Sequence, residues 1–169
     1  MYNYLQSGAI AAIDTAINNA YNRGVKIRWI YNSTSSNTGL SLLNSNINKL
    51  ASPVLSSYGL MHNKFMVIDM GSPNPYDAIV WTGSTNWGDA QFNNEVNNVI
   101  IIQDKNLAYA YTAEFNEMWG DTGLVPNTVN SKFGPFKNDN VSHFFTIGGK
   151  TVELYFSPSD GTNDRILSS

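Results

Sequence analysis

The stretch of residues 63–119 constrains the fold of this 169-residue chain more than any other part of the sequence. It contains three apolar segments of strand length with turn-forming residues between them: residues 63–69, 78–82 and 95–102. Residues 70–77 contain two prolines and a glycine, and we interpret them as the turn of a hairpin. Asp104 is a good N-cap for a helix that is predicted to end near Trp119.

A helix and a strand are predicted ahead of this stretch. Residues 9–22 place apolar side chains at helical spacing, and Gly24 is expected to end the helix in the left-handed conformation. Residues 25–31 alternate apolar and polar side chains, as a half-buried strand does. Residues 40–50 are predicted to form a short helix. Mixed strands and helices predict an α/β fold, a mixed β-sheet flanked by α-helices.

The C-terminal third has a different pattern. Residues 121–142 contain two prolines and little periodicity, which is typical of a linker or a functional segment. Residues 143–147 and 150–156 are predicted to pair as a hairpin, and a short helix is predicted near residue 164. We therefore expect three parts: a domain at residues 1–120, a linker at residues 121–142 and the beginning of a further unit at residues 143–169.

Composition excludes several kinds of site. The chain has no cysteine, which excludes disulfides, thiolate zinc sites and cysteine nucleophiles. Its formal charge of −3 and pI near 5.2 disfavour a protein that grips nucleic acid electrostatically. No apolar run is long enough for a transmembrane helix, and no signal peptide opens the chain. The compartment stays open, and the sequence is compatible with an exported parent protein.

A polar pattern beginning at His62 carries the candidate chemistry. His62 and Lys64 are two positions apart, so on a strand they point the same way, about 6–7 Å from each other. Asp69 ends the same strand, and a Gly-Ser-Thr-Asn turn then supplies Ser84 and Asn86. Imidazole, ammonium, hydroxyl and amide groups together can surround a phosphate oxyanion.

This pattern resembles the phospholipase D superfamily, whose signature is H-x-K-x4-D followed by G-S-x-N. The resemblance covers about residues 9–119 and implies one phospholipase D-like repeat without its first strand. The spacing between the two parts of the signature is longer here than is usual in the family. The excess falls on residues 70–77, which we interpret as a lengthened hairpin turn.

The resemblance also implies a role for each residue of the pattern. His62 would attack phosphorus, while Lys64 and Asn86 would bind the non-bridging oxygens with help from Ser84. Glu95, in the family-like segment Asn-Asn-Glu, would orient the histidine through its other ring nitrogen. The sixth residue, Asp69, would support the strand end and the site.

The family builds its active site from two such motifs, and this chain contains one. The other histidine, His143, is followed two residues later by Phe145 instead of lysine, so it does not supply the second motif. A homodimer could pair two copies of His62, or the chain could be a fragment of a longer protein. Residues 152–165 resemble the opening strand and loop of a second, truncated repeat, which favours the fragment. An excised repeat could also dimerise.

The function implied is that of a phosphodiesterase acting through a phosphohistidine, and we expect a phospholipid headgroup as substrate. The alternatives are a metal-independent endonuclease acting as a homodimer, which the acidic pI disfavours, and a catalytically silent phosphate-binding scaffold. No carboxylate or histidine cluster has metal-ligand spacing in the sequence, so no metal or other cofactor is expected. His143 and Trp87 are expected to be structural.

Overall fold

The computed structural model describes residues 11–33, 37–54 and 60–169 and shows a mixed α/β fold. The elements of these ranges are α1 (Ala11–Asn22), β1 (Arg28–Tyr31), β2 (Asn48–Ala51), β3 (Phe65–Ile68), β4 (Ile79–Gly83), α2 (Asp89–Asn93), β5 (Val99–Gln103), α3 (Lys105–Trp119), β6 (Phe144–Ile147), β7 (Lys150–Glu153) and α4 (Thr162–Leu167). Residues 9 and 10 of the predicted N-terminal helix lie outside the described residues. None of the described helices has the length and apolar character needed to cross a bilayer.

The strands pair in both directions, which confirms the predicted mixed β-structure. β1 and β2 are parallel, with Ile30 opposite Leu50. β3, β4 and β5 form an antiparallel meander in that order, and β6 pairs with β7 as a separate hairpin. The β3–β4 connection contains the short helical turn Pro75–Asp77, so the lengthened hairpin turn is also confirmed.

Alternate side chains of the central strands face two different helices. Ile30, Phe65 and Val80 belong to one buried cluster, together with the apolar residues of α3. Their strand neighbours belong to a second cluster with Ile17 of α1: Trp29, Met66 and Trp81. Because neighbouring strand residues point to opposite faces, the β-structure separates two helical layers.

α3 is the helix that the sequence defines best. The Asp104 side chain accepts a hydrogen bond from the Leu107 N–H at 2.8 Å, so the predicted N-cap is confirmed. Gly120 ends the helix at φ 75°, and a Cβ there would overlap the Asn127 carbonyl oxygen, so the position requires glycine. The predicted boundaries of this helix are therefore correct at both ends.

The C-terminal segment, residues 133–169, packs on α3. Phe156 lies edge-on to Tyr111, with ring centroids 5.1 Å apart, and it also meets Phe65 of β3 at 6.4 Å. Lys137 donates to Glu114 at 2.6 Å, and both side chains are at most 3% exposed. Residues predicted to follow the first domain thus complete its core, while the domain boundaries themselves stay a prediction.

Two segments differ from the sequence-based expectation. In residues 40–50 the helical prediction is wrong for the second half, because only Thr38–Leu42 forms a helical turn and Asn48–Ala51 is a strand. The parallel pairing with β1 is a long-range contact that the local pattern does not reveal. β5 begins at Val99 instead of residue 95, because the preceding residues form hydrogen bonds with the turn after β4.

Candidate functional site

The beginning of β3 and the end of β4 lie at the same edge, and the predicted site is there. Phe65 is opposite Thr82, so the chain before Phe65 runs beside the chain that follows Thr82. The Thr82 hydroxyl donates to the backbone carbonyl of Lys64 at 3.0 Å. The structure therefore brings the segment of His62 and Lys64 beside the turn at residues 84–86.

Lys64 is almost completely buried, with 6% of its surface exposed. Its Nζ donates to the backbone carbonyl of His62 at 3.0 Å, and within the described residues it has no carboxylate partner. Desolvation lowers the pKa of Lys64 to about 8. A lysine with that pKa is still about 90% protonated at pH 7, so the site holds an unneutralised cation.

His62 is exposed beside this cation. Partial burial lowers the pKa of His62 below its ordinary 6.5, and the positive charge of Lys64 lowers it further. The neutral imidazole therefore predominates at pH 7, and one ring nitrogen keeps the lone pair that a nucleophile needs. Among the described residues, no side chain or carbonyl forms a hydrogen bond with the His62 ring.

Ser84 and Asn86 follow β4 at the same edge. The Ser84 hydroxyl donates to the side-chain oxygen of Asn97 at 2.9 Å and accepts from the Asn98 N–H at 3.0 Å. Asn86 is half-buried, and its amide forms no hydrogen bond within the part of the chain that the structure describes. The Asn86 amide can therefore donate to a ligand directly, while the Ser84 hydroxyl must rotate first.

The residues that flank this turn explain its shape. A Cβ on Gly83 would overlap the carbonyl oxygen of Asn98, so the close approach of β5 requires glycine. Trp87 is 5% exposed and packs edge-on against Trp29 and Trp81, at 5.8 and 5.5 Å between ring centroids. The prediction that Trp87 is a packing residue is confirmed, and its burial anchors the turn.

Glu95 is connected to Ser84 through a residue that sequence reasoning missed. Asn97 accepts from Ser84 and donates to Glu95 at 3.3 Å, and Glu95 also accepts from Gln91 at 2.9 Å. The described residues include no hydrogen bond between Glu95 and His62, so the orienting role of Glu95 stays a prediction. No local pattern in the sequence shows which side chains Asn97 contacts.

Asp69 lies away from the other predicted site residues. It follows the far end of β3, and four strand residues separate it from Lys64, a distance of about 16 Å along an extended chain. It has a φ of 51° and accepts from the Ser72 N–H at 2.9 Å, which begins the hairpin turn. It also lines a cavity of about 1230 Å³ near Arg28 and Tyr109.

A second polar cluster lies in the C-terminal segment. One ligand-type atom from each of Asp139, His143 and Asp160 lies within 4.8 Å of the others, an arrangement that the sequence spacing does not reveal. His143 contacts the Leu154 carbonyl at 2.9 Å and stacks on Tyr155 at 4.3 Å. Desolvation alone would lower the pKa of His143, but the hydrogen bonds to Leu154 and Asp139 outweigh it and raise the pKa.

The fold, together with the edge formed by the beginning of β3 and the end of β4, defines the class of protein. It is an α/β layered protein that carries an exposed imidazole, a buried ammonium and a Ser–Asn turn at one edge of its β-structure. Residues 3–119 match the family model described as "Cardiolipin synthase, PLD-like domain". The match covers more than half of the chain, which therefore belongs to this phospholipase D-like family of phosphodiesterases.

Similar proteins of known name match the chain in part. It is 35% identical over 74 residues to mitochondrial cardiolipin hydrolase of Xenopus laevis, a match covering 44% of this chain and 31% of that protein. It is 34% identical over 102 residues to phospholipase D of Rickettsia felis, covering 60% of this chain and 48% of that protein. The chain thus spans about a third to a half of the length of these relatives.

Solved structures show the same fold. NucT from Helicobacter pylori matches with a TM-score of 0.55 and 22% identity, over 69% of this chain and 75% of that one. Nuc from Salmonella typhimurium, described as a phospholipase D family member, matches with a TM-score of 0.54 and 19% identity. That match covers 71% of this chain and 74% of the other, and at this identity it establishes the fold alone.

Proposed function

We propose that this chain carries half of the active site of a phospholipase D-type phosphodiesterase. The observation that supports this best is the neutral His62 imidazole beside the Lys64 ammonium, which no described carboxylate neutralises. A nucleophile next to a desolvated positive charge suits attack on an anionic phosphodiester, because the cation stabilises the negative charge on the non-bridging oxygens.

In the proposed reaction, a ring nitrogen of His62 attacks phosphorus and forms an N–P bond. The bond from phosphorus to the leaving oxygen breaks, and that oxygen takes a proton from a general acid. Water or an alcohol then attacks the phosphohistidine and gives its proton to the same group, which now acts as a base, and His62 leaves with its lone pair. Lys64 and Asn86 would bind the non-bridging oxygens, and Ser84 would assist after its hydroxyl rotates.

Two other residues have supporting roles in this proposal. Glu95 would orient the His62 ring through its second nitrogen, and its hydrogen bonds with Gln91 and Asn97 keep it on the same side as Ser84. Asp69 would stabilise the far end of β3, where its backbone begins the turn. Neither carboxylate is proposed to carry a proton.

The general acid would come from a second motif, because this chain contains one. We propose that a partner chain or the remainder of a longer parent protein supplies it. Analytical ultracentrifugation with and without sulfate would distinguish these sources. A dimer indicates a composite site between copies, whereas a monomer at every concentration assigns the second motif to the parent protein.

A phospholipid headgroup is the proposed substrate. The relatives named cardiolipin hydrolase and phospholipase D support a lipid, and so does the formal charge of −3, which gives no general attraction for a nucleic-acid backbone. Release of headgroup from cardiolipin or phosphatidylcholine vesicles, measured by mass spectrometry with a longer parent protein, would test this choice.

The nucleophile is tested by trapping the covalent intermediate. We expect incubation with bis(p-nitrophenyl) phosphate to release p-nitrophenolate and leave a phosphoryl adduct on the peptide that contains His62, detected by mass spectrometry under alkaline conditions. His62→Asn should reduce adduct formation by about 10³-fold or more. His143→Asn, a change at the other histidine of the chain, is the matched control and should keep the adduct. An adduct that persists in His62→Asn would contradict the proposal.

The single motif per chain also favours a second candidate, a metal-independent endonuclease that works as a homodimer. Nicking of plasmid DNA in the presence of a chelator would support it, and intact plasmid beside active lipid hydrolysis would exclude it. The third candidate, a silent phosphate-binding scaffold, predicts bound sulfate with no adduct on His62.

A further inference from the structure

A buried asparagine, Asn32, lies at the carboxyl end of β1, next to the segment that leads into His62. It is 6% exposed, and its side-chain oxygen accepts from the Met61 N–H at 3.3 Å and from the Ser52 hydroxyl at 3.5 Å. Its backbone carbonyl accepts from the Asn37 side chain at 2.6 Å. One residue therefore connects three stretches of chain at the site edge.

The backbone on both sides of the His62 ring is held by these contacts. Upstream, the Met61 N–H donates to Asn32, and downstream the His62 carbonyl accepts from Lys64. The ring itself is exposed and forms no hydrogen bond with any described residue. The direction in which the ring points is therefore set by its backbone and rotamer, so the residues that hold this backbone decide where the nucleophile lies.

The hydrogen bond from the Met61 N–H determines the orientation of the Asn32 amide. Because the Met61 N–H is a donor, the side-chain oxygen of Asn32 must face it, which turns the Nδ2 group away. That Nδ2 is buried and has no hydrogen-bond partner among the described residues. A buried, unpaired donor destabilises the folded state, so the contribution of this amide comes from the two hydrogen bonds that its oxygen accepts.

We propose that Asn32 is a positioning residue for His62, which it holds in place by accepting the hydrogen bond of the Met61 N–H. This inference rests on the proposed role of His62 as nucleophile. Asn32 does not touch the reacting atoms, and its amide is too deeply buried to bind substrate. It acts through the main chain. The Asn32 oxygen accepts from the Met61 N–H, and the Nδ2 of the same amide is left without a partner among the described residues.

The test uses the whole chain and the variant Asn32→Leu, which removes the acceptor and the unpaired donor together at similar volume. The first readout is the pKa of His62 from its ring protons by NMR, which requires no activity. We expect this pKa to rise toward 6.5, since a released segment moves the ring into solvent and away from Lys64. The rate of adduct formation should fall by between about tenfold and a hundredfold.

Ser52→Ala is the matched control, because it removes another partner of the Asn32 oxygen and leaves the Met61 contact in place. It should leave the His62 titration unchanged. Asn32→Ala serves as a second variant if the leucine variant does not fold, as judged by the His143 resonances. An unchanged His62 pKa in a folded Asn32 variant overturns the inference. Absence of an adduct in the unmodified chain would contradict the proposed function instead, and the NMR result would still decide on Asn32.

Discussion

The environment of Lys64 links protonation to anion binding. Its folded-state pKa of about 8 lies below the 10.5 of an unfolded lysine. The ammonium therefore destabilises the folded state at every pH below about 8, and stability increases as the pH rises from 8 to 10.5. An anion next to the ammonium replaces part of its lost hydration, so a bound anion should raise the pKa of Lys64.

Sulfate binding measured by isothermal titration calorimetry between pH 7 and 9.5 tests this linkage. We expect the affinity to fall by up to about tenfold for each pH unit above 8, because the cation is lost over that range. Lys64→Arg keeps its charge throughout and should show a flat profile. Sulfate affinity that does not change with pH in the unmodified chain would show that Lys64 is not the anion-binding group.

Some residues of the site are recognisable from a local sequence pattern, and others are recognisable only from their contacts in the structure. His62, Lys64, Ser84 and Asn86 belong to a local pattern with fixed spacing, so the sequence predicts their shared location. The roles of Asn97 and Asn32 arise from contacts with residues distant in the chain. No local pattern distinguishes such an asparagine from the many turn and surface asparagines of this sequence.

At the scale of elements, the site depends on how closely β5 approaches the turn after β4. Ser84 exchanges two hydrogen bonds with the backbone of Asn98, both at 3.0 Å. This pairing is possible because Gly83 has no Cβ to meet the Asn98 carbonyl. The strand spacing and the location of the Ser84 hydroxyl are therefore fixed together.

Gly83→Ala should separate β4 from β5 and displace Ser84. We expect the free energy of unfolding, measured with urea, to fall by about 1–3 kcal/mol, together with weaker sulfate binding. Gly71→Ala is the matched control, because a Cβ at Gly71 meets nothing within 4 Å. Equal effects of the two substitutions would contradict the close-approach explanation.

The sequence predicts elements with strong local signals well, but it does not predict β2 or α2, which lack such signals. α3 has its N-cap and its terminal glycine in the sequence, so its ends were predicted correctly. β2 lacks such signals, because its strand character comes from parallel pairing with β1. α2 was not predicted, since a five-residue helix inside a loop leaves no clear periodicity.

For the whole molecule, the ion pair between Glu114 and Lys137 is a buried polar link between α3 and the C-terminal segment. Both side chains are almost fully buried, and Lys137 also lies over the Phe156 ring at 5.8 Å. The attraction between two buried opposite charges compensates much of their desolvation cost, but a single buried charge without a partner strongly destabilises the folded state. Loss of one partner should therefore loosen the segment from α3.

Glu114→Leu should lower the free energy of unfolding by about 3–5 kcal/mol, since it leaves the Lys137 ammonium buried without a partner. The double variant Glu114→Leu/Lys137→Met should recover most of that loss, because both groups are then apolar. Urea unfolding measures both effects. Glu153→Gln, which breaks the exposed pair with Arg165, is the control and should leave the unfolding midpoint almost unchanged. A double variant as unstable as the single one would contradict the explanation.

The packing of Phe156 on Tyr111 and Phe65 has a consequence for synthesis on the ribosome. Translation proceeds from the N-terminus, so β3 and α3 emerge well before Phe156 does. Until then the nascent chain exposes the aromatic face that Phe156 later covers, and Glu114 lacks its lysine. The chain therefore passes through an aggregation-prone stage in which we expect chaperones to bind it, and this stage ends only when Phe156, which follows β7, has left the ribosome.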